Sequence, residues 1–305
     1  MSDHTTQRVV PNIWCNGTAA EAGAFYAGAL PDTSYTVESR YPTEGLLPFQ
    51  EPLAGEPLTV AVTVGDYRLV LVNAGPEFRP NLALSLMLNF DPARMSGGAI
   101  EAREQLDAAW ERLSDGGEVR MPLGEYPFSA RYGWVEDRYG VNWQLMLTDP
   151  DGDPRPAVVP CLMFGGPVQN RADEAIEFYS EVFPDAGPGQ RVPYGEPTGP
   201  ASAEALMFGE FRIGDQWFAA MDSGTTQTET FGCGLSLEVQ CVDQAEIDRL
   251  WDALSAVPEA EQCGWLADRF GVSWQIVPEN MGKLMAHPGA FERMLEMKKL
   301  IIAEL

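Results

Sequence analysis

Histidine is nearly missing from this chain: His4 and His287 are the two present in 305 residues. That scarcity excludes chemistry built on clustered imidazoles, whether a His-based metal site or a histidine base in a cavity. Lysine is almost as rare, confined to Lys283, Lys298 and Lys299. Twenty Lys and Arg stand against 45 Asp and Glu, for a formal charge of −25. Such a surface repels phosphate backbones and anionic headgroups, so neither nucleic acid nor membrane is an expected partner. No run of about 18 apolar residues exists to span a bilayer. The first eight residues are polar and carry no apolar signal core, which predicts a cytoplasmic protein. Cysteines are five, Cys15, Cys161, Cys233, Cys241 and Cys263, with no CxxC pair. An odd, scattered set predicts reduced thiols rather than a disulfide framework or zinc knuckle.

What is present is one sentence written twice. Gly133-Trp134-Val135-Glu136-Asp137-Arg138-Tyr139-Gly140-Val141-Asn142-Trp143-Gln144 returns as Gly264-Trp265-Leu266-Ala267-Asp268-Arg269-Phe270-Gly271-Val272-Ser273-Trp274-Gln275. Hand alignment extends the repeat. Phe25-Tyr26 matches Phe178-Tyr179, Pro31-Asp32 matches Pro184-Asp185, Gly65-Asp66 matches Gly214-Asp215, and 106–110 matches 247–251. Two copies of one fold are predicted, over 1–148 and 157–305, joined by an Asp/Pro/Gly linker over 149–156.

Each copy reads as strand, helix, three strands, then strand, helix, strands. In copy one, 9–15 is a strand and 19–30 a helix, with Ala22, Phe25, Tyr26 and Leu30 at helical spacing. Thr18 and Glu21 read as a capping box. Strands over 58–64 and 67–73 flank the Gly65-Asp66 turn; 82–90 is a strand, 99–113 a helix, and 133–136 with 141–146 a closing hairpin. Each copy is thus two βαβββ modules. The tail over 280–305 carries an apolar helical stripe of Phe291, Met294, Leu295, Met297, Leu300 and Ile301. It is expected to pack across the domains or to form a homodimer contact.

These residues resemble the vicinal oxygen chelate superfamily, the glyoxalase/bleomycin-resistance fold, and within it the PhnB-like branch. The likeness rests on Val158 to Phe164 with the following helix and Pro184-Asp185, on Gln262 to Pro278, and on Met294-Leu295-Glu296-Met297-Lys298-Lys299. The resemblance implies an α+β fold of two tandem domains, each a pair of βαβββ modules forming cupped mixed sheets over a cavity. That family is often labelled a demethylubiquinone methyltransferase. No glycine-rich strand-to-helix loop for a nucleotide-like methyl donor supports the label, since Gly195-Glu196-Pro197-Thr198-Gly199 lacks that context.

In metal-using relatives, strand side chains hold one divalent ion. The resemblance places those ligand positions on Pro11 and Pro160, on Ala83 and Gly234, and on Gln144 and Gln275. No cofactor is therefore predicted, although an atypical divalent ion remains the alternative. Strand alternation from the two glutamines adds Asn142 and Ser273 to the cups, with Ser85, Ser236, Trp134 and Trp265 as further ligand-binding candidates. The same reading lines the cups with Ile13, Cys15, Leu162 and Phe164, and sends Trp143, Trp274, Trp110 and Trp251 to the core. Asp222 and Glu238 are expected in one cavity of copy two, as catalytic carboxylates. Asp137-Arg138 and Asp268-Arg269 read as turn-shaping charge pairs. Apolar cups with a few amides and hydroxyls predict a protein that binds a small, partly apolar molecule without the usual metal triad. The second expectation is a lyase, isomerase or dioxygenase-like enzyme using Asp222 and Glu238 or the atypical ion. The predicted partners are a small-molecule ligand and the other half of the same chain.

Overall fold

The computed structural model describes residues 7–46, 50–152 and 155–305. His4 and the linker residues Asp153 and Pro154 lie outside them.

The first module comprises β1 (Val9–Cys15), α1 (Ala19–Ala29), β2 (Thr33–Arg40), β3 (Pro57–Val64) and β4 (Tyr67–Asn73). The second comprises β5 (Leu84–Phe90), α2 (Gly98–Ser114), β6 (Glu118–Tyr126), β7 (Ser129–Glu136) and β8 (Asn142–Leu147). Copy two repeats the first with β9 (Val158–Phe164), α3 (Ala172–Val182), β10 (Ala186–Pro193), β11 (Leu206–Ile213) and β12 (Gln216–Asp222). Its second module has β13 (Leu235–Cys241), α4 (Gln244–Leu254), β14 (Trp265–Ala267) and β15 (Ser273–Pro278). No strand equivalent to β6 forms there; Pro258–Ala260 makes a 3-10 turn instead. The tail holds two short helices, α5 (Met281–Leu284) and α6 (Ala290–Glu296).

The fold is α+β in four modules, but sheets and sequence copies do not coincide. The seven-stranded sheet runs β14-β15-β13-β1-β4-β3-β2 and the eight-stranded sheet β10-β11-β12-β9-β5-β8-β7-β6. Each combines the first module of one copy with the second module of the other. The joints are antiparallel: β1 with β13 through Val9↔Val239 to Ile13↔Leu235, and β5 with β9 through Leu84↔Leu162 to Leu88↔Val158. The modules of one copy meet instead through their helices and the buried ends of the repeated motif.

That meeting explains most of the doubled sentence. Asp137 is buried; its Oδ2 accepts from Tyr26 Oη and Trp143 Nε1, each at 2.8 Å, and its Oδ1 from the amides of Tyr139 and Val141. Asp268 accepts from Tyr179, Trp274, Phe270 and Val272 in the same way. A buried carboxylate is tolerated only when its lone pairs are satisfied, and four donors satisfy these. The adjacent Arg138 lies 4.9 Å over the Phe25 ring, and Arg269 lies 4.1 Å over Phe178. Phe-Tyr on the first helix thus meets Arg and Asp of the closing motif, uniting two modules. Gly133 is required by close approach: a Cβ there would stand 2.4 Å from the Trp110 ring.

Two local expectations are corrected. Thr18 makes no side-chain capping bond. The first amide of α1, Ala19 N, donates instead to Asn73 Oδ1 at the end of β4. The tail is not one helix; an extended segment interrupts it. There the carbonyls of Met297 and Lys298 accept from Cys263 and Gly264, and Leu300 is fully buried against copy two.

Candidate functional site

Each sheet has a face covered by helices and a face free of them. Trp143 and Trp274 point into the helical core, so their neighbours Gln144 and Gln275 point to the free face, which forms the cup. The parity expected for the opening strands is corrected by the same criterion. Ile13, Cys15, Leu162 and Phe164 belong to the helical core, where Phe164 packs on Phe231 and Phe270. Phe164 is therefore no cup residue. The side chains that reach the cups are Val10, Asn12 and Trp14 on β1, and Val159, Cys161 and Met163 on β9. Pro11 and Pro160 fall on the helical side, and their cup-facing neighbours are Asn12 and Cys161.

The two carboxylates of copy two do not share a cavity. Asp222 ends β12 in the eight-stranded sheet and Glu238 lies on β13 in the seven-stranded one. Asp222 also faces the helices: its carboxylate accepts from Ala172 N, the first residue of α3, and from Leu206 N. Burial raises its pKa while these amides pull it back. Asp222 anchors a helix and a strand, as Asn73 does in copy one, where Asn73 Nδ2 donates to Pro57 O. The pairs are matched. Pro57 has no N–H and needs a donor opposite, whereas its counterpart Leu206 offers one and needs an acceptor.

In the seven-stranded cup, Glu238 stands opposite Gln275 and Val10. Its oxygens accept from Asn12 Nδ2 at 3.3 Å and Gln240 Nε2 at 3.0 Å. Burial pushes its pKa up, more than these bonds and the nearby Arg68 draw it down. Arg68 pairs with Glu38 through Nη2, while its buried Nη1 has no partner among the described residues. Gln275 Nε2 donates to Ser236 Oγ, and Ser273 Oγ lies 3.7 Å from Cys233 Sγ. Trp14 and Trp265 meet edge to face at 5.8 Å, and Phe78 packs on Trp14.

The eight-stranded cup differs. Gln144 is closed into a network, accepting from Tyr132 Oη at 2.6 Å and donating to Ser85 Oγ at 2.8 Å. Trp134 Nε1 donates to Asn142 Oδ1. Around them Met87, Val159, Cys161 and Ala219 form an apolar cluster, joined by Met146, Phe208, Trp217 and Met221. Burial pushes the Cys161 thiol up to about 12, so it is no nucleophile at neutral pH. The expectation of two similar apolar cups is corrected: one is sulfur-rich and internally satisfied, the other polar with a carboxylate. Exchange of Met87 for Glu238, Cys161 for Asn12 and Trp217 for Arg68 makes the difference. Neighbouring sheet partners across the copies had to be known before these sets could be assembled, so sequence alone passed over Asn12, Arg68 and Trp14.

For a metal, the polar cup offers one carboxylate and three amides, Asn12, Gln240 and Gln275. The side chains of Ala83 and Gly234 supply no ligand atom, and Gln275, whose Nε2 donates to Ser236, offers only an uncharged amide oxygen. No group of three His, Cys, Asp or Glu able to hold an ion occurs among the described residues. This set does not suit the divalent ion of metal-using relatives. Nor does Gly195 to Gly199 sit between strand and helix; it joins β10 to β11.

Among the described residues no helix is long and apolar enough to cross a membrane. No curated protein matches the chain. Among solved structures, glyoxalase I from Zea mays is 11% identical over 98% of this chain and 99% of its own, with a TM-score of 0.51. At that identity it shows the fold alone. A putative 3-demethylubiquinone-9 3-methyltransferase, PhnB protein, from Bacillus cereus is 28% identical over 47% of this chain and all of its own, with a TM-score of 0.38. A protein from Pseudomonas aeruginosa is 25% identical over 47% of this chain and 98% of its own, with a TM-score of 0.36. The sequence model of the 3-demethylubiquinone-9 3-methyltransferase family matches twice, over residues 7–146 and 156–277. The chain belongs to that family, and its fold is the one seen in glyoxalase I.

Proposed function

We propose that the protein binds a small, partly aromatic molecule in the seven-stranded cup, without a metal. The carrying observation is the arrangement around Glu238. There a carboxylate acceptor and the Arg68 guanidinium, whose Nη1 has no partner among the described residues, lie in one cup with the Trp14–Trp265 pair. Few fixed polar groups on an aromatic wall suit orientation of an amphipathic ligand. Asn142, Gln144 and Ser85 are engaged with Trp134, Tyr132 and one another, so the other cup offers less to bind.

The test uses protein dialysed against chelator and the fluorescence of Trp14 and Trp265, titrated with small aromatic and amphipathic compounds. Saturable quenching unchanged by chelator is expected. Glu238→Gln should weaken it about tenfold, the range of one charge-assisted hydrogen bond. A stoichiometric divalent ion, released in Glu238→Gln, would defeat this reading. A second reading is favoured by the raised pKa of Glu238: a lyase or isomerase using this carboxylate as base. Turnover abolished in Glu238→Gln and indifferent to chelator would establish it.

A further inference from the structure

The internal repeat supplies its own control for a second site, separate from both cups. In copy two, Arg8 inserts between Asp185 and Glu246, its Nη1 donating to Asp185 Oδ2 at 2.8 Å and its Nη2 to Glu246. Side-chain Gln216 fixes it there by accepting from the amides of Arg8 and Val9. Arg8 enters from the start of copy one, and its counterpart at the start of copy two, Ala157, holds the equivalent place against copy one. The same backbone bond marks both places: Gln240 N donates to Arg8 O, and Asn89 N to Ala157 O. The counterparts of Asp185 and Glu246 are Asp32 and Gln105.

All three counterparts line one groove of about 740 Å³, between the α1–β2 and β3–β4 turns, the end of β5 and the start of α2. Where copy two holds a guanidinium on its alkyl stem, copy one holds space. Four acids, Asp32, Asp66, Asp91 and Glu101, line it against the single cation Arg94. Two of them are engaged. Asp91 accepts from Ala93 N and Arg155 N, and Glu101 from Gly97 N, Ser96 Oγ and Gln105 Nε2. The groove also includes Asn89, whose Nδ2 donates to Pro156 O and whose buried Oδ1 has no partner among the described residues.

We infer that this groove binds a small molecule bearing a guanidinium or ammonium group on a short alkyl stem. Its cationic end takes the place that Arg8 fills in copy two, against Asp32, the counterpart of Asp185. The size is that of a small-molecule site, and the charge of −25 draws cations toward it.

The probe is butylguanidinium, with neutral, near-isosteric butylurea as control, titrated at physiological salt and followed by amide NMR shifts and calorimetry. One site per chain is expected, perturbing Asp32, Gly65 and Asn89, with butylurea at least tenfold weaker. Ala157→Arg should abolish binding and raise Tm by filling the groove as Arg8 does in copy two. Asp32→Asn should weaken binding at least fivefold. Asparagine tolerates the positive φ of 50° at that position, so this variant keeps the fold. Equal binding by wild type and Ala157→Arg, or by the cation and the urea, would overturn the inference. So would the absence of any shift in wild type.

Discussion

Single residues carry much of this fold, and the buried carboxylates are the sharpest cases. Asp137 holds four hydrogen bonds from two modules, and an asparagine can accept at one oxygen only. Asp137→Asn leaves donors from Tyr26 or Trp143 facing an amide N–H₂, so it should cost about 2–4 kcal/mol in urea unfolding. An unchanged midpoint would show that the hub contributes nothing. Burial raises the pKa of Glu238 as it does that of Asp137, but Glu238 has two donors, both side-chain amides, where Asp137 has four, and no buried cation compensates it fully. Between the ordinary glutamate range and the raised value, the folded chain binds more protons than the unfolded one, so stability falls as pH rises. Glu238→Gln should therefore be more stable than wild type at neutral pH, with the difference closing below about pH 4. Thermal melts across that window check the sign; a difference independent of pH would refute it. The turn-shaping role of Asp137 and Asp268 was legible in the sequence; the expected charge pairing with Arg138 and Arg269 is corrected, since each Asp bonds neutral donors and each Arg lies over a phenylalanine ring. Their partnership with Phe-Tyr was not legible, because 111 residues separate Tyr26 from Asp137 and 89 separate Tyr179 from Asp268, and only packing brings them together.

At the scale of elements, the strands and first helices followed the hydrophobic pattern closely. β1 spans the residues expected, and α1 ends one residue early. What misled was parity and the helix starts. The opening strands are buried on both faces, so apolar period two could not say which side met the helices. Once Asn12 and Cys161 are known to face the cups, the sites change character. The helix starts are anchored by a strand end some 50 residues away, Asn73 or Asp222, rather than by a local cap. The matched pairs at those anchors predict coupling. Leu206→Pro and Asp222→Asn should each destabilise, one removing the donor and the other an acceptor. Together they rebuild the Pro57–Asn73 arrangement of copy one and should recover about 1 kcal/mol relative to the sum. A double-mutant cycle by urea unfolding measures this; strict additivity would show that the two positions are independent.

At the scale of the molecule, the exchange of modules between copies governs stability. Residues 1–148 alone would leave β1 and β5 as open edges, each with five unmet positions on strands that are interior in the full chain. The isolated half is expected to dimerise or aggregate. Mixed with residues 157–305 it should give a one-to-one complex with the native spectrum, as sedimentation and circular dichroism can report. A monomeric, natively folded half would mean the cross-copy joints are dispensable. The same exchange decides which residues share a cup. It joins Asn12 and Arg68 to Glu238 and Gln275, and Cys161 and Trp217 to Met87 and Gln144. Within the sequence, the repeated motif, its hydrophobic periods and its turn residues determined four modules and their order, three of them complete βαβββ units and the last lacking one strand, because those signals are local. The partner of each module, the face of each opening strand and the groove that Arg8 fills in one copy and leaves open in the other were decided by tertiary structure. Backbone edges can be satisfied by either copy, and only the packed whole selects between them.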